Sequence, residues 1–130
     1  MQILVGNDLV FIPRISRSLE SEHFIKRIFS EQEIIDCQKK AKPSPSFAAR
    51  FAAKEAFSKA LGTGLLSPGG FAPKDVWVES LEGGKPVLKF APAVQRLLAE
   101  KKVCSIDLSL SHHEDYALAT VSMLVSSDPL

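Results

Sequence analysis

The sequence predicts an α+β fold, a mainly antiparallel sheet packed on a long central helix. Three features lead there. The stretch SFAARFAAKEAFSKAL, Ser46 to Leu61, reads as one helix without an internal Gly or Pro. A nearly all-apolar strand, ILVGNDLVFI, opens the chain, and two hairpin patterns follow the helix. At 130 residues and 45% hydrophobic content, the chain is expected to form one domain over residues 1–130 with a substantial core.

Gln2 to Ile12 reads as a buried strand. Gly6 marks a bulge or a place of close backbone approach. Asp8 sits among Val5, Leu9, Val10 and Phe11. It reads either as a cap or turn residue where the strand ends, or as one of two carboxylates sharing a cation. Pro13 can open a helix, and residues 14–28 look helical but irregular. There Arg14, Arg17, Lys26 and Arg27 stand against Glu20 and Glu22, either a solvated face or a basic ridge for an acidic partner. Ser30-x-x-Glu33 is a capping box for a helix through about Lys40, which accounts for Glu33. Lys42-Pro43-Ser44-Pro45 reads as a linker.

On the central helix Phe47, Phe51, Phe57 and Leu61 cover one sector, and Ala48, Ala52, Ala56 and Ala60 spread across the others. A helix apolar nearly all round is enclosed on most sides. Glu55 and Lys59 are out of place there. They read as an i,i+4 surface pair, or as a metal ligand and a phosphate contact. Gly62-Thr63-Gly64 stops the helix or approaches a phosphate, and Ser67-Pro68-Gly69-Gly70 continues as loop.

Lys74 to Ser80 alternates as a strand, with Val76 and Val78 on one face and Trp77 opposite. Glu82 to Lys85 turns it into a second strand, Pro86 to Phe90. Pro92 to Lys102 is an amphipathic helix with Val94, Leu97 and Leu98 inward. Val103 to His112 alternates with Cys104, Ile106, Leu108 and Leu110 on one face. His113-Glu114-Asp115 reads as a turn, Tyr116 to Val125 as the last strand, and Ser126 to Leu130 as a frayed end. His112 and His113 are neighbours on a strand, so they face opposite ways and do not readily chelate one ion.

A net charge of +1 argues against a general polyanion binder, so no nucleic acid is expected. Cys37 and Cys104 form neither a disulfide framework nor a metal cluster, and point to thiols in a reducing compartment. No apolar run reaches membrane-spanning length. These features lead us to expect a soluble cytoplasmic protein.

Three stretches, in chain order, carry a resemblance. They are Gly6-x-Asp8, the run Arg50 to Ala60 (RFAAKEAFSKA) leading into Gly62-Thr63-Gly64, and Leu110-Ser111-His112 before Tyr116-Ala117-x-Ala119-x-Val121. With Gly84-Lys85-Pro86 they resemble the holo-[acyl-carrier-protein] synthase family, the small single-domain type of 4′-phosphopantetheinyl transferase. The resemblance implies that family's α+β fold and a homotrimer with an active site at each subunit interface. It implies a Mg²⁺-dependent transfer of 4′-phosphopantetheine from coenzyme A to a serine of apo-acyl carrier protein, in support of fatty acid biosynthesis. Adenosine 3′,5′-bisphosphate is released.

By the same resemblance Asp8 and Glu55 are the metal ligands and Lys59 contacts the phosphates. Arg50, Gly62, Gly64, Lys85, Pro86, Ser111 and His112 surround coenzyme A, partly from a neighbouring subunit. Arg14, Arg17, Lys26 and Arg27 meet the acidic carrier protein. Asn7 and His113 depart from the family's usual residues. The serine's general base stays open among metal-bound water and a carboxylate, Glu33 included. Two other functions compete: a non-catalytic trimeric module for an acidic helix or a nucleotide, and another Mg²⁺-dependent phosphoryl enzyme such as a nucleotide hydrolase.

Overall fold

The structure, a computed structural model, describes residues 1–65 and 70–126. The turn expected at Ser67-Pro68-Gly69 and the chain end beyond Ser126 lie outside the described residues. Strand β1 (Gln2–Phe11) leads into helices α1 (Ile12–Ser18), α2 (Glu22–Ile28), α3 (Glu31–Gln38) and α4 (Pro43–Leu61). A 3-10 turn at Pro73–Asp75 precedes β2 (Val76–Ser80) and β3 (Pro86–Phe90), then α5 (Pro92–Glu100), β4 (Val103–His113) and β5 (Tyr116–Val125). The strands form two antiparallel sheets, β1-β5-β4 and β2-β3.

Helix α4 packs across β1 and β5. Ala48, Ala52, Ala53, Ala56 and Phe57 are fully buried, as are Ala117, Ala119 and Val121 of β5. Small side chains on both surfaces let helix and sheet approach closely. Around this contact Phe29 meets Phe47 edge-on at 4.9 Å, and Phe57 packs on Phe71 and Phe90.

Several boundaries differ from those expected. The Lys42–Pro45 linker is mostly helix, because α4 begins at Pro43 with Lys42 as its N-cap. Prolines at the first and third helical positions lose no hydrogen bond, since amides of the first turn have no intrahelical partner. Residues 14–28 make two helices, not one. Leu19 closes α1, and the Ser21 hydroxyl accepts from the Phe24 amide to open α2. The capping box of α3 has both halves. Lys74 and Asp75 belong to the 3-10 turn, so β2 starts two residues later than expected.

Register runs unbroken through Gly6↔Val121 and Asp8↔Ala119, so Gly6 is not a bulge and Asp8 does not end a strand. A register shift between Val103 and Ser105 takes Cys104 out of the alternation and leaves it exposed. Cys37 is buried, which pushes its thiol pKa up. His113 pairs with Tyr116 as part of β4, and Glu114 takes the left-handed conformation of the tight turn, φ 52°.

Candidate active site

Two strand positions bring a carboxylate to the central helix. Along β1, Gly6 and Val10 are buried and Leu4 and Asp8 half-buried, while Ile3, Val5, Asn7, Leu9 and Phe11 face outward. Asp8 therefore lies on the side that meets α4. Gly6 sets the approach. A β-carbon there would stand 2.1 Å from the Ala56 carbonyl oxygen and 2.6 Å from the Ala60 nitrogen. The departure at Asn7 points away from this contact.

Glu55 and Lys59 have the spacing of an ordinary i,i+4 pair, yet Lys59 does not take Glu55 as its partner. Its Nζ lies 2.9 Å from Asp8 Oδ1 across the helix–strand contact. Burial pushes the Glu55 pKa up, the Asp8 charge adds to this, and Lys59 partly offsets it. A cleft of about 320 Å³ opens over both carboxylates. Arg14, Ser18, Phe24 and Phe51 also line it. Of the basic ridge, Arg14 reaches this cleft. Arg17, Lys26 and Arg27 are exposed on α1 and α2, with Lys26 paired to Glu22 at 3.1 Å.

Two hard oxygen donors, Asp8 held by a single lysine and Glu55 with no ion pair among the described residues, fit a divalent cation that fills its other positions from water or phosphate. Among the described residues no group of three or more His, Cys, Asp or Glu could enclose a metal.

A second cavity, about 600 Å³, gathers Arg50, Pro86, Ser111 and His112. Lys40, Lys42, Ser46 and Gly84 join them. The first three were passed over in the sequence, where they read as the end of one helix, a linker and the start of the next. Their signal was two lysines, Lys40 and Lys42, just ahead of the helix that carries Arg50. Arg50 is 7% exposed, and Nη1 donates to Ser46 Oγ at 2.8 Å. Its Nε has no hydrogen-bond partner among the described residues. Such a buried guanidinium suits an anion.

Three expected contacts lie elsewhere. Lys85 pairs with Asp107 at 3.1 Å. Gly62 is the left-handed cap of α4, φ 83°. Neither Gly62 nor Gly64 lines either cavity. The two cavities also leave α4 in different directions, since Glu55 follows Arg50 by five residues, roughly 140° around the helix.

Glu33 is fully buried and belongs to neither cavity. Oε1 accepts from the Ser30 amide and from Lys54 Nζ, and Oε2 accepts from the Val78 amide. Lys54 also donates to the carbonyls of Pro73 and Val76, which uses all three of its protons. Burial lowers the Lys54 pKa, and the Glu33 carboxylate opposes that shift. Glu33 is a structural counter-ion, out of reach as a base toward substrate.

The central helix and first strand thus bring two carboxylates together beside a lysine, with a cationic cavity on the same helix, an arrangement suited to a phosphate-bearing ligand and a divalent cation. The sequence profile of the 4′-phosphopantetheinyl transferase superfamily matches residues 4–121. A holo-[acyl-carrier-protein] synthase of Syntrophotalea carbinolica is 45% identical over 119 residues, 90% of this chain and 91% of that protein. The holo-[acyl-carrier-protein] synthase of Neisseria meningitidis superposes with a TM-score of 0.85 at 33% identity, over 93% of this chain and 97% of that one. A synthase–coenzyme A complex from Chronobacterium ammoniagenes gives the same TM-score, 0.85, at 28% identity, over 97% of this chain and 99% of that one. The chain belongs to the holo-[acyl-carrier-protein] synthase family.

Proposed function

We propose that this enzyme transfers 4′-phosphopantetheine from coenzyme A to a serine of apo-acyl carrier protein, with Mg²⁺, and releases adenosine 3′,5′-bisphosphate. The observation that carries it is the convergence of Asp8 and Glu55 at one cleft that Arg14 also lines, with Lys59 paired to Asp8 at 2.9 Å. The coenzyme A found in the Chronobacterium ammoniagenes relative supports the donor.

Asp8 and Glu55 would hold Mg²⁺, which when bound supplies Lewis-acid stabilisation of charge on the phosphoryl oxygens. Lys59 adds a fixed positive charge toward the same oxygens. The serine hydroxyl gives its proton to a base as its oxygen forms the new O–P bond, and the P–O bond to adenosine 3′,5′-bisphosphate breaks so that the bisphosphate leaves. Arg50, with Lys40 and Lys42, attracts the nucleotide's phosphates, while Pro86, Ser111 and His112 complete that cavity. We keep Gly62, Gly64 and Lys85 as weaker coenzyme A contacts, from elsewhere on the molecule. Arg14, Arg17, Lys26 and Arg27 form a basic face for the acidic carrier protein.

In this reading the enzyme works as a homotrimer, in the cytoplasm, in fatty acid biosynthesis. Two observations support the assembly. The outer face of the β1-β5-β4 sheet exposes Ile3, Val5, Leu9, Phe11, Tyr116 and Leu118, an apolar patch of the kind that meets another chain. The Arg50 cavity and the Asp8–Glu55 cleft lie on different sides of α4, so two chains can together supply what one separates.

Intact-mass spectrometry tests the reaction. Apo-acyl carrier protein is incubated with the enzyme, coenzyme A and Mg²⁺, beside Asp8→Ala, Glu55→Ala and an EDTA control. A phosphopantetheine-sized gain with wild type and metal alone supports the reading. No gain with several carrier proteins overturns the transfer, and a gain that survives loss of both carboxylates overturns the site.

A further inference from the structure

Lys59 sits where a cation is wanted. The helix spacing offers it Glu55, four residues away, but it takes Asp8 at 2.9 Å instead. The Asp8 side chain is 16% exposed and the Lys59 side chain 53%. The acid is thus held by the strand, and the lysine reaches it from solvent on a long flexible stem. Glu55 has no ion pair within 4.0 Å among the described residues and is held up in pKa by burial and by Asp8. One ammonium thus serves two facing carboxylates.

We propose that Lys59 is the resident counter-ion of Asp8 in the metal-free enzyme, and that a divalent cation displaces it, freeing the ammonium for the substrate's phosphates. This inference rests on the reading of Asp8 and Glu55 as the metal ligands. A divalent ion approaching the pair meets Asp8 already engaged, so its binding includes the loss of that contact. The released lysine then stands beside the carboxylate pair without its Asp8 contact, and a pyrophosphate group bound there gives it an anionic partner again. Metal and coenzyme A therefore tighten each other's binding, by equal factors as linkage requires. The ordering also keeps Asp8 from standing as a bare half-buried charge before the metal arrives.

Two measurements test it. The first follows the Lys59 side-chain ¹³Cε/¹Hε signal by NMR while Mg²⁺ is added without coenzyme A, for wild type and Asp8→Asn. The signal should shift on Mg²⁺ addition in the wild type, and Asp8→Asn should begin at a released position. The second titrates Mn²⁺, followed by its electron paramagnetic resonance, into wild type and Lys59→Met, with and without coenzyme A. Lys59→Met should bind Mn²⁺ alone about two- to fivefold more tightly, the scale of a partly exposed ion pair. Its gain in Mn²⁺ affinity from coenzyme A should shrink below the wild-type gain.

A Lys59 signal that stays in place while Mg²⁺ saturates the protein overturns the inference and leaves the metal site intact. So does Lys59→Met binding Mn²⁺ no more tightly than wild type. If wild type binds neither ion, with or without coenzyme A, the metal-site reading itself fails and takes this inference with it.

Discussion

Gly6 of β1 lies directly against the backbone of Ala56 in α4, so near that a β-carbon on Gly6 would stand 2.1 Å from the Ala56 carbonyl oxygen. The obstacle is backbone, which cannot swing aside as a flexible side chain would. Gly6→Ala must push strand and helix apart, and Asp8 and Glu55 ride on those two elements. We expect a loss of stability of about 1–3 kcal/mol or more, typical of overpacking. The Mn²⁺ affinity should fall with it. Urea unfolding and metal titration on the same preparation check this. An alanine variant with wild-type midpoint and metal affinity would mean that the close approach does not set the site.

The Glu33–Lys54 pair joins α3, α4 and β2 in the interior. Both side chains are fully buried, and the Lys54 ammonium lies 5.7 Å from the Phe29 ring centre. Removing one partner leaves a charge in the core with no counter-ion. Lys54→Met should therefore destabilise the fold by about 3–5 kcal/mol. Glu33→Gln added to Lys54→Met should recover part of that loss, because the stranded charge is then gone. Equilibrium unfolding of both variants decides it. A single variant within about 1 kcal/mol of wild type would contradict the pair's role.

Glu55 gives a pH signature in the metal-free protein. Its pKa lies above the ordinary 4.5, chiefly through burial, so the native state keeps a proton that the unfolded state has already released. Between 4.5 and the raised native value, the native state binds more protons, and stability falls as pH rises. Above that window the full penalty of burying the ionised acid remains. Glu55→Gln has no such penalty. Its urea midpoint should match wild type below the window and exceed it at neutral pH. A difference that is the same at both ends would remove Glu55 as the cause.

The site was legible in part because its chemistry is local to two motifs. Glu55 and Lys59 stood out as charges on an apolar helix, and Asp8 as an acid in an apolar strand. Their partnership was not legible. Spacing along α4 favours Glu55–Lys59, and only the lie of β1 across the helix, permitted by Gly6, gives Lys59 to Asp8. Lys40 and Lys42 were hidden for a similar reason. The cavity they line is assembled from α4, the β2–β3 hairpin and the end of β4, far apart in sequence. The periodicity of α4, the capping box and most strands followed from nearest neighbours and were read correctly. The start of α4 was missed because its prolines look like breakers, although their positions in the first turn cost no hydrogen bond.

The outer face of β1 supplies the last prediction. Ile3 and Val5 are 69% and 59% exposed on a strand whose other side carries Asp8 and packs on α4. Burying such side chains against another chain contributes roughly 1.5–3 kcal/mol each. Changing both to lysine leaves the helix-facing side of β1 untouched, so the chain should keep its circular dichroism. A charged row on that face opposes the packing of a second copy. Sedimentation should show wild type as a trimer and Ile3→Lys/Val5→Lys as a monomer. If one chain supplies the Asp8–Glu55 cleft and its neighbour the Arg50 cavity, the monomer should lose roughly 100-fold or more of transfer activity, the order of loss expected when reacting groups are misplaced. Asp8→Ala separates the two effects, because it should abolish transfer while remaining trimeric. A monomeric double variant with full activity would locate both subsites on one chain.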